Sequence, residues 1–313
     1  MNQGKDSLEL FETTSDEYLV RFRVRPGTDD VGIIHEVSFG QHYNNARALL
    51  GVGSVVIDVG AHIGSFSVLS AVQGARVVAL EPVPANYALL SENADLNGCR
   101  TRVKALNVAA WSSAGERTMR VADDSTGGSG FYYRRETVPT VAVRCIRLDE
   151  LMDVEGITVC DLLKLDCEGA EFEILSTMNQ ETWRRIRNIV MEYHLWGGYS
   201  LEQLQALLVE QGFLIDTQPL ESVGGILGHI LAVRPPDTLP MLLPLDVTLA
   251  ESQLTRLPLI GRLWCVIRRP VHGLIVFYIN RMIAMVNQHQ RGTCVYLRVL
   301  GQHMAQQSKT DVT

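Results

Sequence analysis

The chain has 313 residues, a formal net charge of −7 and 46% hydrophobic residues. That hydrophobic fraction suffices for one large core, or for a domain with an appendage, and excludes intrinsic disorder. The acidic balance argues against a protein that grips nucleic-acid backbone, which needs a basic stripe. Residues 1–50 read as a cap: the segment from Val31 to Tyr43 mixes apolar and polar residues without a clear period, and is expected to give a strand and a helix over the sheet. From Gly51 to about residue 235, short β-branched runs alternate with longer amphipathic ones, as in a mostly parallel sheet covered by helices. The predicted strands are Val55–Val59, Arg76–Leu80, Arg102–Asn107, Asp161–Asp166 and Asn188–Tyr193. The predicted helices are Ser65–Gln73, Ala85–Leu96, Ala170–Met178 and Leu201–Gln211, the last behind Ser200 as N-cap. Gly115–Val121 and Thr140–Ile146 read as an inserted hairpin joined through the Gly/Ser-rich run Asp123–Gly130, and Phe213–Thr217 with Gly228–Val233 as an antiparallel pair closing the sheet edge.

After Pro235 and Pro236 the composition changes. Residues 236–249 form a Pro-rich linker, and residues 250–313 a basic, apolar helical tail with eight Lys and Arg against two Asp and Glu. The run from Leu257 to Ile283 fits a helix packed on the catalytic domain or a partner subunit, or an interfacial helix at anionic lipid. The six cysteines are dispersed without a C-x-x-C pair, which disfavours a zinc site or a disulfide framework and suits a cytoplasmic protein. The first residues lack the apolar run of a secretory signal, and no stretch of about 18 apolar residues occurs. The expected location is therefore cytoplasmic, with peripheral contact at the inner membrane face left to the tail; composition leaves the oligomeric state open.

Val55–Val59 ends in a turn carrying Gly60, Ala61, His62 and Gly64 into a helix. Such a turn aims backbone N–H groups at a ligand, and its glycines allow close approach. Glycines at a βα turn also serve structure alone. Glu81, ending the next strand 17 positions after Gly64, shifts the balance, because a carboxylate there can accept both hydroxyls of a ribose. A dinucleotide fingerprint would place G-x-G-x-x-G after the strand, whereas Gly51-Val52-Gly53 precedes it, so an NAD-linked oxidoreductase is the weaker reading.

Three ordered motifs, Ile57-Asp58-Val59-Gly60-Ala61-His62-Ile63-Gly64, then Leu80-Glu81-Pro82-Val83-Pro84, then Leu163-Lys164-Leu165-Asp166-Cys167-Glu168-Gly169-Ala170-Glu171, closely resemble the FkbM-type family of S-adenosylmethionine-dependent methyltransferases. The likeness spans roughly Ser54 to His194. It implies an α/β fold of the class I methyltransferase (Rossmann-like) kind, with a seven-stranded, mostly parallel sheet and helices on both faces. It further implies that Asp58, Gly60 and Gly64, with Ala61 and His62, surround the methionine part of S-adenosylmethionine. Glu81, beside Pro82, would hold the ribose, Asn107 and Ala109 would lie near the adenine, and Asp166 would border the cofactor. His62 stands where Asn is commoner, and Cys167 where a small branched residue is usual.

Asp166, Glu168 and Glu171 follow the fourth core strand and Glu192 and His194 the fifth, so the two groups should face one another across the crevice at the strand ends. Transfer of a methyl group to a hydroxyl requires alignment and a base. His194 is the first choice for that base, since an unperturbed imidazole titrates near neutrality; Asp166 is the second, with Glu168 and Glu192 in the same constellation. The same residues also read as an ordinary turn and helix start. Asp166, Glu168 and Glu192 could hold magnesium, but nothing fixes a full ligand set, so no metal site is assigned. The expected acceptor is a hydroxyl on a sugar, glycolipid or polyketide-like metabolite; the rival of another kind is an inactive cofactor-binding protein that serves assembly or membrane recruitment.

Overall fold

The computed structural model describes residues 8–15, 17–122, 125–132, 137–235 and 299. In β2 (Tyr18–Val24), Val20, Phe22 and Val24 are buried at every second position, and the strand pairs as an antiparallel hairpin with the mostly exposed β1 (Glu9–Ser15). Helices α1 (Asp30–Phe39) and α2 (Gln41–Arg47) follow, so the segment expected to hold a strand and a helix is helical apart from Gly40. The inward positions of α1 are Asp30, Ile34, Val37 and Ser38, and those of α2 are Tyr43, Ala46 and Arg47. That spacing is helical, but polar residues fill several of the buried positions, which hides the period from a hydrophobicity pattern.

Next come β3 (Val55–Val59), α3 (Ser65–Val72), β4 (Arg76–Leu80), α4 (Pro84–Leu96) and β5 (Val103–Leu106). An inserted unit of β6 (Ala109–Ala110), β7 (Gly115–Arg120) and β8 (Thr140–Ile146) makes a three-stranded sheet of its own, and its β7–β8 pair is the predicted hairpin. The chain then returns through α5 (Leu148–Val154), β9 (Leu162–Leu165), α6 (Glu171–Ser176), α7 (Gln180–Arg185), β10 (Asn188–His194), α8 (Leu201–Glu210), β11 (Leu214–Pro219) and β12 (Leu227–Val233). Ser200 caps α8 in a reciprocal box with Gln203.

The main sheet runs β11-β12-β10-β9-β3-β4-β5. Neighbours from β10 to β5 are parallel, and β12 is antiparallel to both β10 and β11. This is the expected seven-stranded, mostly parallel α/β sheet. Its faces follow from strand period two. Val56, Val77, Ala79, Leu162, Val190 and Leu231 pack with the N-terminal hairpin and α1–α4. Ile57, Val78, Leu80, Leu163, Met191 and Ile230 pack with α5–α8 and the inserted sheet. From β3 the chain proceeds outward through β4 and β5, then comes back to lay β9 on the other side of β3, so the strand order reverses between β3 and β9. A crevice opens at such a switch point beyond the carboxyl ends of the strands.

No helix among the described residues is long and apolar enough to cross a membrane. The linker at 236–249 and the lipid-or-packing alternatives for the tail lie outside the described residues, except for Val299, which is buried in the cluster that contains the N-terminal hairpin.

Candidate active site

A cavity of about 240 Å³ sits at the switch point. Its floor is the turn after β3. Gly60 has φ +74°, and a Cβ there would lie 1.8 Å from the carbonyl oxygen of Asp166, so no other residue fits against β9. His62 also takes a left-handed φ of 52°, and Gly64, at φ +92°, starts α3. The exit of β4 is locked onto this turn: Glu81 Oε2 accepts from the His62 amide at 2.8 Å, and Oε1 accepts from the Val83 amide at 2.8 Å. Burial pushes the Glu81 carboxyl up, and His62 and these amides oppose the shift. Asn107 Nδ2 donates to the carbonyls of Glu81 and Pro82 at 2.8 and 3.0 Å. It thus fixes the backbone behind the cavity wall.

Of the residues expected around a cofactor, Gly60, His62, Glu81, Pro82, Ala109 and Asp166 line the cavity. Asp58, Ala61, Gly64 and Asn107 stand behind that wall. Asp58 is wholly buried; it accepts from Ser67 Oγ at 2.6 Å and lies 3.3 Å from Lys164 Nζ. Lys164 also lies 3.4 Å from Asp166 and donates to the carbonyl of Gly60 at 2.6 Å. Burial works against the ammonium charge, but Asp58 and Asp166 outweigh it and raise the Lys164 pKa. One buried cation therefore ties the ends of β3 and β9 together.

Sequence reasoning overlooked Asn86 and Asp29 here, whereas the Gly/Ser-rich run Asp123–Gly130 was legible as a loop able to cover a substrate. Asn86, 3% exposed in the first turn of α4, lines the cavity and donates to the Thr126 carbonyl at 3.0 Å, while its buried Oδ1 meets no partner among the described residues. Residues Ser125–Gly130 of the inserted unit form the roof and are held by Asp29: Ser125 Oγ and the Thr126 amide donate to its carboxylate at 2.5 and 2.9 Å. Burial would raise the Asp29 pKa, yet the Ser125 and Thr126 bonds lower it.

At the other end, carboxylates converge from β9, β10 and α1. Asp166, Glu168, Glu192 and Glu36 all line the cavity. Asp166 accepts from Tyr43 Oη at 3.2 Å; burial would raise its pKa, but Lys164 leads the charges and hydrogen bonds that lower it. Glu168 sits in a left-handed conformation (φ 55°), strained for a residue with a side chain. Burial raises its pKa to about 7, with His194 opposing and Asp166 adding to the rise. Burial also raises Glu192, reinforced by Asp166.

His194 is 3% exposed and is not among the lining residues. Its Nδ1 lies 3.1 Å from Glu171 Oε1, and its Nε2 lies 3.7 Å from Glu168 and 3.9 Å from Glu192. Burial works against the charged ring, but the Glu171 hydrogen bond and the surrounding carboxylates outweigh it and raise the pKa to about 10. An imidazolium has no lone pair with which to take a proton. The wholly buried Glu171 is the hub beneath: besides His194 it accepts from the amides of Cys167 and Gly169 and from Tyr199 Oη, at 3.1, 3.2 and 3.2 Å.

Beside this ring, His42 and His229 stack with ring centres 3.5 Å apart and planes 19° apart, and Glu36 Oε1 lies 3.8 Å from His229 Nε2. Burial and the facing imidazole lower the His42 pKa to about 3, and burial lowers His229.

A family model described as the methyltransferase FkbM domain matches residues 58–215. The methyltransferase sdnD of Sordaria araneosa is 32% identical over 190 residues, covering 50% of this chain and 73% of its own. The 31-O-demethyl-FK506 methyltransferase FkbM of Streptomyces tacrolimicus is 30% identical over 213 residues, covering 58% and 81%. The hexuronic acid methyltransferase AglP of Haloferax volcanii is 26% identical over 156 residues, covering 50% and 62%.

Proposed function

The chain belongs to the FkbM family of S-adenosylmethionine-dependent methyltransferases, and we propose that it methylates a hydroxyl oxygen on a small hydroxylated metabolite or glycan, with Glu168 as the proton acceptor. The observation that carries this reading is the position of Glu168: it borders the cavity, at a pKa of about 7, in the same enclosure as the Gly60 turn and Glu81. Bound S-adenosylmethionine supplies a methyl group on a positively charged sulfur, from which an aligned oxygen can displace it.

The residues present fit that cofactor. Gly60 leaves room where any side chain would collide with Asp166, Glu81 presents a fixed carboxylate suited to ribose hydroxyls, and the orphaned Asn86 Oδ1 calls for a donor such as an exocyclic amine. At the acceptor end, Glu192 keeps its proton more readily than an ordinary carboxyl and can donate a hydrogen bond to the acceptor oxygen, which would fix its orientation. Glu168, about half ionised near neutrality, accepts the hydroxyl proton as the carbon–oxygen bond forms. We assign His194 to positioning: as an imidazolium between Glu171, Glu168 and Glu192 it holds the carboxylates in place. A relative named for 31-O-demethyl-FK506 supports an oxygen acceptor, and one named for a hexuronic acid supports a sugar-type acceptor, neither of them one particular compound.

The test is calorimetry followed by turnover. S-adenosylmethionine and S-adenosylhomocysteine should bind and NAD should not, and a radiolabelled-methyl screen over hydroxylated metabolites and glycans should give an ether stable to mild base. Binding of NAD alone, or label recovered only as base-labile ester or as N-methyl product, would overturn the reading.

A further inference from the structure

The stacked histidines belong to no step above. His42 comes from α2 and His229 from β12, and the Nε2 atoms of both rings are buried without a hydrogen-bond partner among the described residues. His229 is 9% exposed, so bulk water does not answer for its nitrogen. A buried imidazole nitrogen left unpaired is costly and calls for a ligand. One ligating atom from each of Glu36, His42 and His229 lies within 4.8 Å of the other two. The three side chains come from three separate elements, α1, α2 and β12, brought together only by the fold. His229 is also the cross-strand partner of Glu192, so the group adjoins the carboxylate ring.

We propose that Glu36, His42 and His229 bind a divalent transition-metal ion of the zinc type. Two imidazoles and a carboxylate suit zinc or its neighbours and leave an open coordination position, whereas magnesium prefers oxygen alone. Ligand distances of about 2.0–2.1 Å in a tetrahedron put two nitrogens about 3.4 Å apart. The ring centres already stand 3.5 Å apart, so ligation asks for a splaying of near-parallel rings. Asp166, Glu192 and His194 also bring ligating atoms within 4.8 Å of one another, but there His194 Nδ1 is engaged by Glu171 and Lys164 stands beside Asp166, so an ion would have to displace a resident cation. Because Glu36 lines the cavity, an ion on the proposed trio would face the acceptor end and could hold the acceptor oxygen. That consequence rests on the methyl-transfer reading; the binding itself does not.

The experiment uses the full chain without a purification tag, stripped with a chelator. Titration with Co²⁺, followed by visible d–d absorption, should show one saturable equivalent that Zn²⁺ displaces. His42→Ala and His229→Ala should each weaken binding at least about tenfold. His35→Ala, whose ring packs against Phe11 and Phe39, should leave it unchanged. If His229→Ala fails to fold by circular dichroism, His42→Gln on the short helix α2 provides the same readout. No saturable uptake by the wild type would overturn the proposal. So would uptake undiminished in the folded His42 and His229 variants, or lost only in Asp166→Asn. S-adenosylmethionine calorimetry on the same stripped protein separates the two ideas: cofactor binding without cobalt uptake sinks the metal site alone, and the reverse sinks the cofactor reading alone.

Discussion

The two ends of the cavity are built differently. The proposed cofactor end consists of two consecutive βα turns, Val59–Gly64 and Leu80–Val83, in which backbone amides, glycines and one carboxylate do the positioning. The proposed acceptor end is assembled from α1, α2, β9, β10 and β12, and its working groups are side chains whose protonation depends on one another. Backbone geometry tolerates little change, whereas a cluster of titratable side chains can be retuned by a single substitution. The first end is thus suited to a constant ligand and the second to a variable one.

Gly60→Ala should break the cofactor end outright. The added carbon would meet the Asp166 carbonyl at 1.8 Å while forcing alanine into φ +74°, so cofactor affinity should fall at least about 100-fold and the protein should melt at least ~8 °C lower. Gly53→Ala is the control, because it carries the backbone strain (φ +86°) with nothing within 4 Å among the described residues. Equal damage from both would mean that strain, not the β3–β9 contact, sets the cost. At the acceptor end, Glu168→Gln should leave cofactor affinity within a factor of about two and slow transfer about 10²–10⁴-fold. In the wild type, kcat/KM should rise with an inflection near pH 7 as Glu168 ionises, and the variant should lose that inflection. If Glu192→Gln abolishes it instead, the two carboxyls exchange roles. Glu81→Ala should cost about 10–100-fold in cofactor affinity, about 1.4–2.8 kcal/mol, with a smaller effect on the bound-state rate.

This contrast also explains what could be read in advance. The strands from Val55 to Leu80, the glycine turn and Glu81 are contiguous in sequence and carry their own periodicity, so local pattern sufficed. Asp166, Glu168 and Glu192 were legible because strand ends announce themselves. Glu36, Tyr43 and Asn86 were not, since each sits on a helix whose inward face mixes polar with apolar residues. The protonation of His194 was out of reach for a further reason: it depends on Glu171 and Glu168, 23 and 26 positions earlier, and on the burial they share. The sequence alone offers an unperturbed imidazole, and the burial beside Glu171 and Glu168 that changes its chemistry exists only in the fold.

That protonation gives the smallest prediction, and one that touches only the acceptor end. With a folded pKa of about 10 against 6.5, His194 stabilises the fold fully below pH 6.5, and the contribution is lost as pH rises through about 10. Glu168, raised from 4.5 to about 7, gives a slope of the same sign that is complete by about pH 7. The interval from pH 8.5 to 10.5 therefore isolates the imidazole from Glu168. Melting temperatures should fall by several degrees across it, at about 2–4 °C per kcal/mol for a domain of this size. His194→Gln should start lower at pH 8.5 and decline less steeply, because glutamine has no proton to lose, while the other groups that titrate in this range act on both proteins. Parallel slopes for the two would mean that His194 is neutral in the fold, and would restore it as a candidate base.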